Sequence, residues 1–365
     1  MFDVDAVLGD PRTRIIVCCG SGGVGKTTTA AALALRAAEH HGRRTVVLTI
    51  DPARRLAQAL GLTELDNTPR QVKDSQLHAM MLDMKRTFDE VVLTHTEPER
   101  AKEIFANPFY QAMSSTFSGT QEYMAMEKLG QLRASDEWDL IVVDTPPSRS
   151  ALDFLDAPAR LGRFLDGRML RLLLGPARAG GRSVFNLVTA SFGAFSKVVQ
   201  KILGAQLLTD LSGFVSALDS MFGGFRERAE QTYRVLQDPQ TAFVVVAAPE
   251  PDAVREAAYF AERLGTEKMP LTGLVLNRAH ESAVPDLSAE ASASAASAIS
   301  GNHPATAQVL EVHELLMRQI ARETEVAALF TDQFPQVPVA RVPAQPTDVH
   351  DLAGLRTIGA ALAID

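Results

Sequence analysis

The sequence has little cysteine. Its two thiols, Cys18 and Cys19, are adjacent, so neither a disulfide framework nor a CxxC pair is available, and a reducing compartment is expected. Long apolar runs are also missing. No stretch of about 18 uncharged apolar residues occurs, which excludes a membrane helix legible in the sequence. The opening Met1-Phe2-Asp3-Val4-Asp5 is acidic and does not have the basic-then-apolar layout of a signal peptide. A cytoplasmic location, with room for peripheral contact with a membrane, is the expectation. Basic charge is in deficit: 36 Lys and Arg stand against 44 Asp and Glu, a net charge of −8. A general nucleic-acid-binding surface, which must neutralise phosphates, is therefore not expected, though a local basic patch stays open. What is present is bulk. The 365 residues, 46% of them hydrophobic, suffice for one large α/β domain with an insertion, or for two small domains.

Short apolar runs alternate with helical patterns, which predicts a mostly parallel sheet flanked by helices. The expected strands are Arg14–Cys19, Thr45–Ile50, Leu77–Leu82, Leu140–Asp144, Phe243–Ala247, Leu271–Asn277 and Val339–Val342. The stretches 88–135 and 148–238 lack strand patterns and read as helical insertions into one domain spanning 1–365. Residues 281–307 are rich in Ser, Ala and Pro, with few large apolar groups to offset the entropy of ordering, and are expected to form a flexible surface loop. No internal repeat is visible.

The sharpest signal is Gly20-Ser21-Gly22-Gly23-Val24-Gly25-Lys26-Thr27-Thr28. It satisfies GxxxxGK[ST], with a strand before it and an Ala-rich helix after it. Glycines let such a loop wrap so that backbone N–H groups converge on phosphate oxygens, and the helix N-terminus adds partial positive charge. Lys26 is expected to reach the β- and γ-phosphates and Thr27 to ligate Mg²⁺. Asp144 closes the apolar run Leu140-Ile141-Val142-Val143, a place a carboxylate normally avoids. There it would face the phosphate crevice and hold Mg²⁺ directly or through water. The alternative is a helix N-cap before Thr145-Pro146-Pro147. Asp51 ends another strand pattern and would orient the attacking water. Its alternative is also an N-cap, with Pro52 as the first helical residue.

These motifs resemble those of a known family. Gly22-Gly23-Val24-Gly25-Lys26-Thr27-Thr28 is similar to the deviant Walker A of the MinD/arsenite-ATPase branch of P-loop proteins. Thr49-Ile50-Asp51-Pro52-Ala53-Arg54-Arg55-Leu56 resembles that family's switch I, and Asp144-Thr145-Pro146-Pro147-Ser148 its switch II. Asn277 sits where the family carries an adenine-recognising Asn. Val342-Pro343 and the helix predicted over Val349–Leu362 resemble its C-terminal end. The chain thus resembles the arsenical pump-driving ATPases, which include the tail-anchored-protein targeting factor, and within them the actinobacterial anion-transporting ATPase paralogues. The resemblance implies a dimeric P-loop ATPase with ATP and Mg²⁺ as cofactors. It implies nucleotide contacts at Gly22, Gly23, Val24, Gly25, Lys26, Thr27, Thr28, Asn277 and Pro343, metal contacts at Thr27 and Asp144, and catalytic roles for Lys26 and Asp51.

The departures from the family pattern matter as much. The family reads KGGxGK, and its first lysine reaches across a dimer interface to the opposite nucleotide. Here that position is Ser21, which carries no charge. The expectations are a hetero-oligomer with a paralogue carrying that lysine, otherwise a homodimer, with Arg54 or Arg55 as weaker substitutes for the missing charge. The alternative is a catalytically weak nucleotide-binding scaffold. Nothing resembles the arginine-bearing lid of a small-molecule kinase. The separated thiolates of the arsenite pump and the CxxC zinc site of the targeting factor have no counterpart here.

The helical stretches leave two questions open. Val184, Val188, Phe192, Phe195, Val199 and Ile202 in Val184–Leu203 share a helical face. They would line a groove for an apolar client or lipid, or pack in a core. Met113, Met124 and Met126 carry the same ambiguity. His40-His41 is not expected to bind metal, because adjacent residues point to different helix faces.

Overall fold

The computed structural model describes residues 1–51, 55–73, 75–108, 110–111, 114, 120–146, 227–228 and 230–363. These fall into two compact units, divided at Leu82/Asp83, Gly130/Gln131 and near Tyr233/Arg234.

The first unit is built on an eight-stranded sheet. In chain order its strands are β1 (Ile15–Cys19), β2 (Thr45–Thr49), β3 (Arg70–Gln71), β4 (Leu77–Met81), β5 (Leu140–Asp144), β6 (Thr241–Ala247), β7 (Leu271–Ala279) and β8 (Val339–Pro343). Across the sheet the order is β3-β4-β2-β5-β1-β6-β7-β8. Every neighbouring pair is parallel except β3 with β4. In β1, β2, β5 and β6 every residue is buried. This is why those segments read as continuous apolar runs rather than alternating ones: the residues on both faces of each strand are buried. The chain runs from β1 outward to β2 and β4, then returns to lay β5 between β2 and β1. The carboxyl ends of these strands open at the point where the direction of winding reverses, the place where ligands bind in such sheets.

The helices of this unit are α1 (Val4–Gly9), α2 (Lys26–His40), α3 (Arg55–Ala59), α7 (Pro251–Thr266), α8 (Ala289–Ile299), α9 (Pro304–Thr331) and α10 (Leu352–Leu362). The second unit holds α4 (Met84–His95), α5 (Pro98–Ala106) and most of α6 (Thr120–Ala134). Helix α2 is Ala-rich, and that lets it bury Ala30, Ala31, Ala34 and Ala37 completely against its neighbours. In the second unit Asp83 caps α4 by accepting from the Arg86 N–H at 2.9 Å. Tyr110 donates to Asp89 at 2.6 Å, and Lys128 pairs with Glu90 at 3.0 Å. Met124 and Met126 are fully buried. Met113 and the stripe Val184–Leu203 lie outside the described residues, as does most of 148–238. No helix among the described residues is long and apolar enough to cross a membrane.

Two features differ from the sequence expectation. The short β3 has no apolar pattern, being Arg70-Gln71 paired antiparallel at the sheet edge. The second is in 281–307, where the composition predicts a flexible loop but the structure has α8 and the start of α9. Alanine is the best helix former. Ser288 caps α8, accepting from the Ala291 N–H at 3.2 Å. The helix needs no large side chains, because Ser292 and Ala296 are small enough to be buried where α8 packs on α9. Ser292 Oγ is hydrogen-bonded to His313 Nδ1 at 2.8 Å, so its polar atom is satisfied.

His41 is engaged within the fold. Arg36 donates to both oxygens of Asp5 at 2.7 and 2.6 Å, and His41 Nε2 lies 2.9 Å from Asp5 Oδ1, which fastens α1 to α2. The Arg36 hydrogen bond, helped by His41 and opposed by burial, holds the Asp5 carboxyl down to about 2 from an ordinary 3.8. A depressed carboxylate contributes stability that is present above its unfolded value and lost as the pH falls through its folded value. Asp5→Asn is therefore expected to lower stability at pH 7 by about 1 kcal/mol, discounted because the group is partly exposed. The gap to wild type in urea midpoints should close between about pH 3.8 and pH 2. A gap that stays constant over this range would show that the pair does not carry the difference.

Candidate functional site

The loop between β1 and α2 is held open by its glycines. Gly23 and Gly25 have φ of +81° and +95°, a region where a side chain is strained. At Gly25 a Cβ would also run into the amide of Asn277. Asn277 is 7% exposed, and its amide donates through Nδ2 to the Val24 carbonyl at 2.8 Å. Asn277, on β7, thus braces the loop as well as lining the cavity beyond it.

Lys26 opens α2 and is largely buried. Its Nζ donates to the Ser21 carbonyl at 2.7 Å, arching back over the loop. Burial lowers the Lys26 pKa, and Asp144 and Asp51 oppose that shift. Ser21 is 9% exposed.

Sheet register brings the remaining groups together. Cys18 on β1 and Thr49 on β2 both stand level with Asp144, the last residue of β5. Thr27 and Thr49 donate their hydroxyls to Asp144 Oδ2 at 2.8 and 2.9 Å. Asp144 has no exposed surface, and among the described residues its Oδ1 has no hydrogen-bond partner. Burial raises its pKa to about 6, against the lowering effect of the Thr27 and Thr49 hydroxyls and Lys26. An orphaned carboxylate oxygen in the core normally costs stability. Beside a threonine hydroxyl, it is the hard oxygen donor set that suits Mg²⁺.

Above this cluster lies a cavity of about 1060 Å³, at the upper end of the size of small-molecule sites. Gly23, Gly25, Lys26, Thr27, Thr28, Asp51, Arg55, Asn277 and Pro343 line it. Val24 is buried beneath the loop, Gly22 is exposed on its outer turn, and Asp144 lies under Thr27. Pro52 and Arg54 lie outside the described residues. Several residues of the site have no role that the sequence pattern marks. Thr49 sits inside a quoted motif, but only the β2–β5 register makes it a partner of Asp144. Thr145 donates to the Cys18 carbonyl at 2.8 Å and fixes the chain leaving β5. His280, Gln319 and Glu323 also line the cavity, and no local pattern marks them.

The family model described as anion-transporting ATPase matches residues 13–296. The chain belongs to that family. This family member is 26% identical over 304 residues to ATPase GET3B of Arabidopsis thaliana, covering 76% of this chain and 66% of that protein. It is 30% identical over 159 residues to ATPase GET3 of Malassezia globosa, covering 44% and 46%. With the ATPase ASNA1 homolog of Cryptosporidium parvum it shares 27% over 265 residues, covering 71% and 63%. The chain spans between about half and two thirds of the length of these relatives. The matched region includes the phosphate-loop motif, Asp51, Asp144 and Asn277, and stops before Pro343.

Proposed function

We propose that this protein binds ATP with Mg²⁺ and hydrolyses it to ADP and phosphate, the nucleotide state driving a conformational cycle in a dimer. The observation that carries the reading is the buried Asp144. One of its oxygens gathers Thr27 and Thr49, and the other has no partner among the described residues, beneath a glycine loop and Lys26. Names of relatives that include the word ATPase support it.

In this reading the N–H groups of the loop and the α2 N-terminus bind the phosphate oxygens. Lys26 exchanges the Ser21 carbonyl for the β- and γ-phosphates. Thr27 and Asp144 hold Mg²⁺, which neutralises phosphate charge when bound. Asp51 orients the attacking water and accepts its proton. Asp51 and Thr145 begin the chain segments that leave β2 and β5, so contacts to the γ-phosphate would move those segments. Asn277 and Pro343 flank the nucleoside. The output would be the handling of an apolar client or a membrane-linked partner, and the apolar spacing in Val184–Leu203 supports this. The expected location is cytoplasmic.

Lys26→Ala tests the reading. Loss of a fixed cation from the phosphate site should weaken MgATP binding roughly 10- to 100-fold, the scale of charge-assisted hydrogen bonds. Unchanged affinity by calorimetry would sink it. One observation favours a second reading, a catalytically weak scaffold that stabilises a paralogous ATPase. Ser21 brings no charge to the position where the family carries a lysine.

A further inference from the structure

Past the phosphate loop, the cavity wall is completed by His280, just beyond β7, and by Gln319 and Glu323 on α9. Glu323 is 5% exposed, a rare setting for a carboxylate unless it is paired. Both of its oxygens are used. His280 Nδ1 donates to Oε1 at 2.5 Å and Gln319 Nε2 donates to the same oxygen at 2.9 Å, while the His280 backbone N–H donates to Oε2 at 2.8 Å. Burial raises the Glu323 pKa, but hydrogen bonds from His280 and Gln319 outweigh it and hold the group below the ordinary value.

This arrangement fixes the imidazole. A carboxylate only accepts, so the His280 proton sits on Nδ1, and in the neutral ring Nε2 is left as an acceptor. The His280 side chain keeps 44% of its surface exposed, on a cavity also lined by Lys26 and Thr27. If Glu323 served only to join β7 to α9, an apolar pair would do so without the cost of burying an ion. A buried carboxylate that orients an accessible imidazole is instead the pattern of a recognition group supported from behind. The phosphate loop presents backbone N–H groups and one cation, none of which reads a base or a sugar. A triphosphate seated there leaves its nucleoside to find partners on the rest of the same wall.

We propose that the Glu323–His280–Gln319 cluster recognises the nucleoside end of the bound nucleotide, with His280 Nε2 accepting a hydrogen bond from a base amino group or a ribose hydroxyl. This rests on the nucleotide reading above and adds, beside Asn277 and Pro343, a further group that recognises the nucleoside.

Calorimetry with ATP and with inorganic tripolyphosphate tests it. His280→Ala is half-exposed and should fold. It is expected to weaken ATP binding roughly tenfold, the scale of a lost hydrogen bond at a desolvated site, and to leave tripolyphosphate affinity within about twofold. Glu323→Gln removes the charge that orients the ring and should weaken ATP, again sparing tripolyphosphate. In the wild-type protein, inosine triphosphate should bind as weakly as ATP binds His280→Ala if the donor is the base amino group. The 2′- or 3′-deoxy analogue of ATP should do so if it is a ribose hydroxyl. ATP affinity within about twofold of wild type in His280→Ala would overturn the proposal. So would equal losses for ATP and tripolyphosphate, or full affinity for all three analogues. Wild-type protein that binds neither ATP nor tripolyphosphate would instead overturn the nucleotide reading itself.

Discussion

Asp51→Asn is expected to slow ATP hydrolysis by roughly 100-fold or more, the scale of losing a general base, while leaving MgATP affinity nearly intact. The substitution keeps the shape of the side chain and removes its basicity. Asp51 follows β2, is partly buried, and lines the cavity with Lys26 and Thr27. In the proposed function the ground-state nucleotide is held elsewhere, by the loop and Lys26, so binding should survive. Turnover is read as phosphate release in the fully assembled complex, and affinity by calorimetry on the same preparation. Unchanged turnover there would leave Asp51 only the role of positioning the chain before α3. Parallel losses of affinity and rate would mean that it holds the nucleotide instead of activating water.

An even larger effect is expected from a partner chain. Ser21 is nearly buried and its carbonyl is occupied by Lys26. It carries no charge to a nucleotide in a neighbouring subunit. A homodimer of this chain would leave both γ-phosphates without that lysine from across the interface, with only Arg54 or Arg55 as weaker substitutes. Such groups contribute roughly 10³-fold or more to rate in phosphoryl transfer. A paralogue carrying KGGxGK would supply the missing lysine to the site built on Lys26, Thr27, Asp51 and Asp144 of this chain. Its own site would then face Ser21, so one of the two sites would dominate. ATPase activity is measured for this chain alone, with the paralogue, and with the paralogue's signature lysine changed to serine. The expected order is very low, high, and very low again. Full activity of the chain alone, or indifference to the last change, would rule out the asymmetric scheme. Persistent inactivity in all three arms, with ATP still bound, would favour the scaffold reading.

Much of this molecule is legible in one dimension because its determinants are local. Leu140–Asp144 is predicted to the residue. A strand buried on both faces needs an unbroken apolar run, and the carboxylate that ends it is conspicuous for the same reason. The loop from Gly20 to Thr28 is equally plain, since positive φ at Gly23 and Gly25 and the start of α2 all belong to one short stretch of chain. What the tertiary structure alone decided depends on partners far apart in sequence. Thr49 becomes a partner of Asp144 across 95 residues only through the β2–β5 register. His280 meets Glu323 across 43 residues only because α9 returns over the end of β7. Helix α8 shows the converse. Its Ala and Ser composition carries too little apolar bulk to be recognised as ordered, yet small residues are what allow it to lie close against α9, with Ser292 satisfied by His313. Local propensity and burial pattern are written along the chain. Which polar group meets which across the sheet is set by register and packing, and these exist only once the chain has folded.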